Sequence, residues 1–474
     1  MKNLLFDFGT TAIKLTLVNS DYSVCSSISK KLETSITGKR ITQSTSEWKK
    51  NFFDALKELL NSTGTKNIEY IIGTGQMEDL ILIDKNNVVE ENATLYSDSF
   101  VEGEIPDSEI KKYERESPNS IDNFTPLVKL LSRIDKDKNY LYDTKKIIFG
   151  AKDLINYFLT GFSFADYTNA STTGLFSTEN NCWNNSLPEE ILNKLPKIEE
   201  PTFKIGFMKK EIAKEFGLDN VPQVINGIGD AGASTLGSEI EKCGESYIYL
   251  GTTGWIAHLQ ENFSKSEDFF LLSGPFKNQW QKMGPLLNAG NVFDWAMKNF
   301  LNTENYGTAN DVIKNNHNTG VLSWPYLNGE RSPKKNPDIR GVISGISQDV
   351  TSEELFTSFV RSIAFSLRLV SEKMGIQGTG SFKLIGGLTG SPAWCQLLAD
   401  IMKKKIVVPS SGQSGPQFGL IKLLQKIIKT KSTKSNEYIT YIPSDRNYNE
   451  LYGEYKKFAE DLLENRTSCP SYLR

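Results

Sequence analysis

GIGDAGASTLGSEIEKCGESYIYLGTTGWI, residues 227 to 256, is the stretch that decides the fold. Its glycine-flanked aspartate, Asp230, stands at a strand-to-helix turn, and its apolar run Tyr247 to Leu250 leads straight into Gly251-Thr252-Thr253-Gly254. The amino terminus carries the same signal: Leu4 to Phe8 runs into Gly9-Thr10-Thr11, and the apolar run Ile13 to Val18 follows. Strand, Gly-Thr-Thr, strand is the pattern of a hairpin whose turn exposes backbone N–H groups and two hydroxyls, because glycine adopts dihedrals that other residues resist. Such a turn can hold a phosphate oxygen. The two turns lie about half of the 474-residue chain apart, which suggests two related halves, each offering one phosphate-gripping hairpin to a cleft between them. Each turn also has an acid nearby, Asp7 inside the first strand and Asp230 before the second.

At this length a single core has stopped growing, so two domains, or three, are expected. The apolar fraction of 38% and charged fraction of 23% are those of a soluble globular protein. A net charge of -3 gives no reason to expect nucleic acid or an anionic membrane as partner. The lysine-rich pieces Lys403 to Lys405 and Lys429 to Lys434 read as solvated surface. Cysteines 25, 182, 243, 395 and 469 form no CxxC and no metal-ligand spacing, which points to free thiols in a reducing compartment. With His258 and His317 the only histidines, acid–base chemistry falls to carboxylates. Asp7 interrupts the first apolar run too early for a signal sequence, and no run approaches the roughly 20 residues of a membrane span. A cytoplasmic protein is expected.

Strand and helix signals alternate through residues 1 to 243: a helix over Trp48 to Leu60, a strand over Ile68 to Ile72 running into GTGQMEDLILID, a helix over Pro126 to Ile134, a strand over Lys146 to Phe149, and a helix over Ala151 to Leu159 stopped by Gly161. That alternation predicts an α/β domain with a largely parallel sheet. Asp98 to Asn123 reads as a loop-rich excursion. Asp166 to Trp183 is small and hydroxyl-rich, and fits a surface loop or a polar cleft lined by Asp166, Asn169 and Ser171 equally well. The second half repeats the style, with helices over Val292 to Phe300 and Ser352 to Met374, and a strand Phe382 to Ile385 feeding Gly386-Gly387 before a helix that begins after Pro392. Strand, Gly-Gly, helix is where an α/β protein brings its backbone close to a nucleotide. A hinge is expected near 240 to 246, dividing domains 1–243 and 244–474.

Taken together, DFGTTAIK at 7 to 14, GTGQM at 73 to 77, DYTNAS at 166 to 171, GIGDAGASTLG at 227 to 237, LGTTG at 250 to 254, PYLNGERSP at 325 to 333, NPDIRG at 336 to 341 and IGGLTGSPAWCQLLAD at 385 to 400 resemble the FGGY carbohydrate kinases, in their xylulokinase-like branch. The resemblance implies two actin-like (ribonuclease H-like) α/β domains around a central nucleotide and sugar cleft. It implies ATP-dependent phosphorylation of a small sugar, with a homodimer as a common state among such kinases. It gives Asp7 a role in holding Mg²⁺, and Gly9, Thr10, Thr11 and Lys14 contact with the ATP phosphates. Gly251 and Thr252 fall on the β/γ region, Gly290 and Asp294 near the ribose and phosphates, and Gly386, Gly387 and Ser391 around the adenosine. Asp230 takes the role of general base, which agrees with the chemistry: phosphoryl transfer needs positioning, a metal and one carboxylate near the nucleophile.

The acceptor pocket is where the chain departs from the pattern. Gln76-Met77-Glu78-Asp79 stands where xylulokinases carry Gln-Met-His-Gly, and Tyr96-Ser97-Asp98 stands for Trp-Asn-Asp. Glu78 in place of histidine changes both charge and hydrogen-bonding capacity, so D-xylulose does not follow as the substrate; Glu78 pointing away from the pocket is the other reading. Arg361 also replaces an acidic residue of the pattern. The expected activity is transfer to a ketose hydroxyl, with hexuloses, sugar acids or polyols as other acceptors. An actin-like ATPase driving a partner-binding module and a catalytically silent sugar sensor are the readings from other classes.

Overall fold

The computed structural model describes residues 2–315, 320–376, 380–409, 415–429 and 437–464; His317, Cys469, Lys431 and Lys434 fall outside the described residues. Two large sheets organise the chain, one built from residues before 230 and one from residues after 245. In the first, Lys2–Phe8 and Ala12–Val18 form an antiparallel hairpin, Val24–Lys31 adds antiparallel to it, and Ile68–Gly75 and then Gln223–Ile225 add in parallel on the other side. Lys204–Phe207 closes that edge antiparallel.

The second sheet repeats this pairing strand for strand. Ser246–Leu250 and Gly254–Gln260 are the hairpin, Trp280–Leu286 adds antiparallel, Ser381–Ile385 and Lys405–Pro409 add in parallel, and Tyr438–Tyr441 closes antiparallel. The related halves suggested by the two Gly-Thr-Thr turns are therefore a shared topology. The sheets are mixed, not largely parallel, because each hairpin contributes antiparallel strands that the strand–helix alternation does not register.

Local signals explain the helices. Thr45–Thr63 starts where the Ser44 side chain accepts from the Glu47 N–H and stops at Gly64 in the left-handed region. Ser352–Lys373 opens with a reciprocal Thr351–Glu354 capping box and buries Phe356, Phe359, Ile363 and Val370 in the core of the second half. Arg361, on the same buried face, donates to the Val321 carbonyl at 2.5 Å. The expected helix over Val292 to Phe300 is instead an α-helix, Gly290–Ala296, followed by a π turn, Met297–Leu301.

One helix crosses between the halves. Pro416–Ile428 returns to the first sheet, where Leu420, Leu423 and Leu424 pack with Leu5, Ile72, Ile228 and Leu236. A separate five-stranded sheet, Ser35–Thr37, Arg40–Ser44, Asn92–Thr94, Met77–Asp84 and Thr144–Gly150, carries the Met77–Glu78–Asp79 segment. Among the described residues no helix is long and apolar enough to cross a membrane.

Candidate active site

Parallel pairing brings the two acids to one sheet edge. Asp7 sits opposite Lys14 on one side and Thr74 on the other, while Ile228–Gly229 pairs with Thr74 and Gly75 and delivers Asp230 as the first residue of the helix Asp230–Gly237. Burial pushes the Asp7 carboxyl up to about 6, with the Lys14 charge opposing. Burial and then the Asp7 charge push Asp230 up to about 7. The Asp230 carboxylate accepts from the Ala231 N–H at 2.8 Å. Met77 packs directly over Gly229, whose absent side chain would lie 2.5 Å from the Met77 sulfur. Gln76, Met77, Asp7 and Asp230 thus form one group.

The loop leading to Asp230 is fastened from below by buried charge. Lys152 Nζ donates to Asp153 and to the Asn226 carbonyl at 3.1 Å, and stands 3.2 Å from Asp166. Asn169 donates to the other Asp153 oxygen at 2.7 Å, and its N–H to Asp166 at 3.1 Å. Asn156 shares the Asn226 carbonyl at 2.9 Å. Asp166, Asn169 and Ser171 are buried, so the hydroxyl-rich segment is no surface loop. It docks on the second half: the Ser171 hydroxyl accepts from the Ser273 N–H at 3.0 Å, and Thr168 donates to the Gly274 carbonyl at 3.2 Å.

The first Gly-Thr-Thr hairpin closes with the Gly9 N–H on the Ala12 carbonyl at 3.1 Å. Buried Gln43 ties it down, donating to the Thr10 carbonyl at 2.6 Å while its own carbonyl accepts from Trp48 at 2.9 Å and Gln76 at 3.5 Å. Tyr96, partly exposed, stands 3.5 Å from the Thr10 hydroxyl. Thr11 and Lys14 are exposed. Asp98 is buried, and both its oxygens accept backbone N–H groups, from Ile41 at 2.6 Å and Phe100 at 2.9 Å. Its carboxylate clamps the loop that presents Tyr96.

The second hairpin is held by backbone alone. Gly251 and Thr252 accept from the N–H groups of Gly290 and Asn291, each at 3.0 Å. A side chain at Gly290 would meet the Gly251 carbonyl at 2.3 Å, and one at Gly386, with φ +107, would meet the Leu250 carbonyl at 2.2 Å. Gly251, Gly290 and Gly386 therefore converge, whereas side chains at Gly387 and Gly390 would meet only open space. That open, glycine-lined cradle fits a nucleotide. Ser391 caps its helix and donates to Asn310 at 3.1 Å, and Asp294 accepts from Tyr306 at 2.5 Å; both anchor the cradle wall. The Asp230 helix joins the two sites, because Thr235 stands 3.2 Å from the Tyr247 hydroxyl on the strand that enters the second turn.

Among the described residues no three His, Cys, Asp or Glu side chains form a metal cage. Asp7, charged and facing the site with Asp230, fits an ion that takes one or two carboxylates and completes its shell with phosphate and water, as Mg²⁺ does.

Residues 3–237 match the N-terminal domain and residues 247–424 the C-terminal domain of the FGGY family of carbohydrate kinases. The chain belongs to that family. The xylulose kinase of Bacillus subtilis (strain 168) is 26% identical, over 99% of this chain and 98% of its own. The gluconokinase of the same organism is also 26% identical, over 74% and 72%. The crystal structure of ligand-bound xylulose kinase from Lactobacillus acidophilus superimposes with a TM-score of 0.84, covering 97% of this chain and 98% of that one at 22% identity, and so shares the fold. This FGGY protein is an ATP-dependent carbohydrate kinase with two actin-like α/β domains.

Lys129, Lys152 and Gln43 were not expected from the sequence. Lys152-Asp153 at the start of an otherwise apolar helix was the one available signal, since adjacent charges on a buried face need partners. Lys129 and Gln43 carried none.

Proposed function

We propose that this kinase transfers the γ-phosphoryl group of ATP to a hydroxyl of a small ketose, a pentulose first among them, with Asp230 as general base. The observation that carries the reading is the place of Asp230: first residue of a helix, beside Met77 and Asp7, half-buried, with its pKa pushed up to about 7. A base poised near the working pH combines the ionised form with enough basicity to accept the sugar proton. The N–H groups and hydroxyls of Gly9, Thr10, Thr11, Gly251 and Thr252, with Lys14, would hold the phosphates, and Gly290, Gly386 and Gly387 would border the nucleoside. Asp7 would hold Mg²⁺, which neutralises phosphate charge when bound. Gln76, Met77, Glu78 and Tyr96 would face the sugar. Lobes 1–243 and 244–474 would close on it, expelling water so that the sugar receives the phosphoryl group. Xylulose kinase relatives along nearly the whole chain support a pentulose, and the four cysteines among the described residues, all free, fit a reducing, cytoplasmic setting.

The test is coupled ADP release with Mg-ATP against ketoses, polyols, aldoses and sugar acids, with Asp230→Ala alongside. One acceptor should stimulate the wild type, and the variant should lose at least ~10² in turnover while still binding ADP by calorimetry. Undiminished turnover in Asp230→Ala would remove it from the mechanism.

A further inference from the structure

We infer that Glu330 is a positioning residue for the second Gly-Thr-Thr turn, acting on Gly251 and Thr252 through the backbone segment that holds them and without touching the nucleotide. The inference rests on the placing of the ATP phosphates at that turn, proposed above, and gives a role to a side chain that the proposed mechanism leaves idle.

Glu330 belongs to the PYLNGERSP segment, from which no residue entered that mechanism. It is buried, 1% exposed. Oε1 accepts from the N–H groups of Leu287 and Arg331, each at 2.8 Å, and Oε2 accepts from the Asn288 amide at 3.0 Å. Ser332 supplies a further backbone N–H. Among the described residues the carboxylate forms no ion pair. Stability alone does not favour a buried carboxylate met only by N–H groups, since an apolar side chain of like volume avoids the desolvation cost. What the carboxylate does supply is acceptors on both oxygens, so that one side chain fixes several donors at once.

Those donors belong to two segments. Leu287 and Asn288 connect the strand Trp280–Leu286 to the helix Gly290–Ala296. The N–H groups of Gly290 and Asn291, just beyond, are the ones given to the Gly251 and Thr252 carbonyls at 3.0 Å. Ala289 alone lies between the residues that Glu330 grips and those that hold the turn. The Asn291 side chain closes this connection, donating to the Leu287 carbonyl at 2.9 Å and accepting from the Ala289 N–H at 2.8 Å. The other segment is the loop that carries Glu330, and it is braced. Glu330 and Asn336 exchange backbone hydrogen bonds at 2.8 and 2.9 Å. Gly329 takes φ +73, and a side chain there would meet the Pro337 carbonyl at 2.7 Å. Asn288 also donates to the Gly329 carbonyl at 2.6 Å. Each hairpin thus has its own tie: Gln43 on the Thr10 carbonyl directly, and Glu330 on Gly251 and Thr252 through one short connection.

Glu330→Gln tests this, because it keeps the shape and sets an amide N–H₂ against a donor. Since a displacement near 1 Å costs about 10²-fold in rate, kcat/KM for Mg-ATP per folded molecule and the ADP affinity by calorimetry should each fall at least about tenfold, with ketose affinity of the ligand-free protein unchanged. Asn288→Ala should give the same split, and the two changes together should cost little more than either, because they cut one link. A Glu330→Gln protein that melts earlier and yet keeps the wild-type kcat/KM for ATP and ADP affinity overturns the inference and leaves the kinase reading standing. So does a loss shared equally by ATP and ketose. A wild type that turns over no acceptor overturns the proposed transfer, and ADP calorimetry on the same pair of proteins still decides the role of Glu330. If Glu330→Gln does not fold, the ATP-against-ketose split in Asn288→Ala decides it.

Discussion

The two halves of the cleft share a topology and are built from opposite materials. Around the second hairpin, Gly251, Gly290 and Gly386 meet carbonyl to glycine with no room for a side chain, and the proposed nucleotide cradle is backbone. Around the first, Asp7, Glu78, Asp79, Asp98, Lys129, Lys152, Asp153, Asp166 and Asp230 crowd together, and the proposed acceptor side is built of ionisable side chains. Backbone geometry serves a phosphate common to all such reactions, whereas charged side chains can be exchanged to suit one sugar. The difference teaches where each side should be fragile: the cradle to added volume, the acceptor side to a lost partner.

The largest effect is expected from Lys152→Met. It strands Asp153 and Asp166 without their buried cation, and removing one partner of a buried ion pair costs about 3–5 kcal/mol. Denaturant melts should show a loss of that size, with Asp153→Asn in the same chain recovering part of it. A loss under about 1 kcal/mol would mean that the charges beneath Asp230 do not hold its loop.

Next comes the cradle. Gly290→Ala sets a methyl 2.3 Å from the Gly251 carbonyl, so the second hairpin must shift. A displacement near 1 Å costs about 10²-fold in rate. Steady-state kinetics should show that loss in kcat/KM for ATP, with ketose binding to the ligand-free protein unchanged. An equal loss on both substrates would merge the two sides.

Turnover and stability should respond to pH in opposite directions. As the proposed base Asp230 would act ionised, so below a pKa of about 7 kcat/KM should fall about tenfold per pH unit. Its folded pKa lies above the ordinary carboxylate value, as do those of Asp7 and Glu78, so the folded state binds more protons than the unfolded one. Stability is then greatest below pH 4 as far as these groups go, and declines as pH rises from about 4 to 7. Melts of the ligand-free protein across that interval, with Asp230→Asn showing a shallower decline, check the sign.

What the sequence disclosed follows the same division. Glycine and threonine at a strand end announce a turn because backbone demands fix residue type locally, so both hairpins, the Asp230 turn and the strand–turn–helix at Gly386-Gly387 were legible. The long helix Ser352–Lys373 was legible from its apolar spacing. Lys129 and Lys152 were not, because a lysine among PLVKLLSR or AKDLINY looks like the polar face of a helix until distant carboxylates are folded onto it. Asp166 to Trp183 has the composition of a surface loop, and only its contact with Ser273 and Gly274 shows it buried.

Gln43 is the smallest of these effects and tests whether the two sides of the first half communicate. One amide serves both, its nitrogen on the Thr10 carbonyl at 2.6 Å and its oxygen on Gln76 and Trp48. Gln43→Leu keeps the bulk and removes the links, leaving the Trp48 N–H and Thr10 carbonyl unsatisfied at about 1 kcal/mol or more each. If the amide couples phosphate hairpin to sugar site, KM for ATP and for ketose should both rise about fivefold, the factor that roughly 1 kcal/mol supplies. A rise in one alone would assign Gln43 to that site and leave the shared sheet edge at Thr74 and Gly75 as the connection between them.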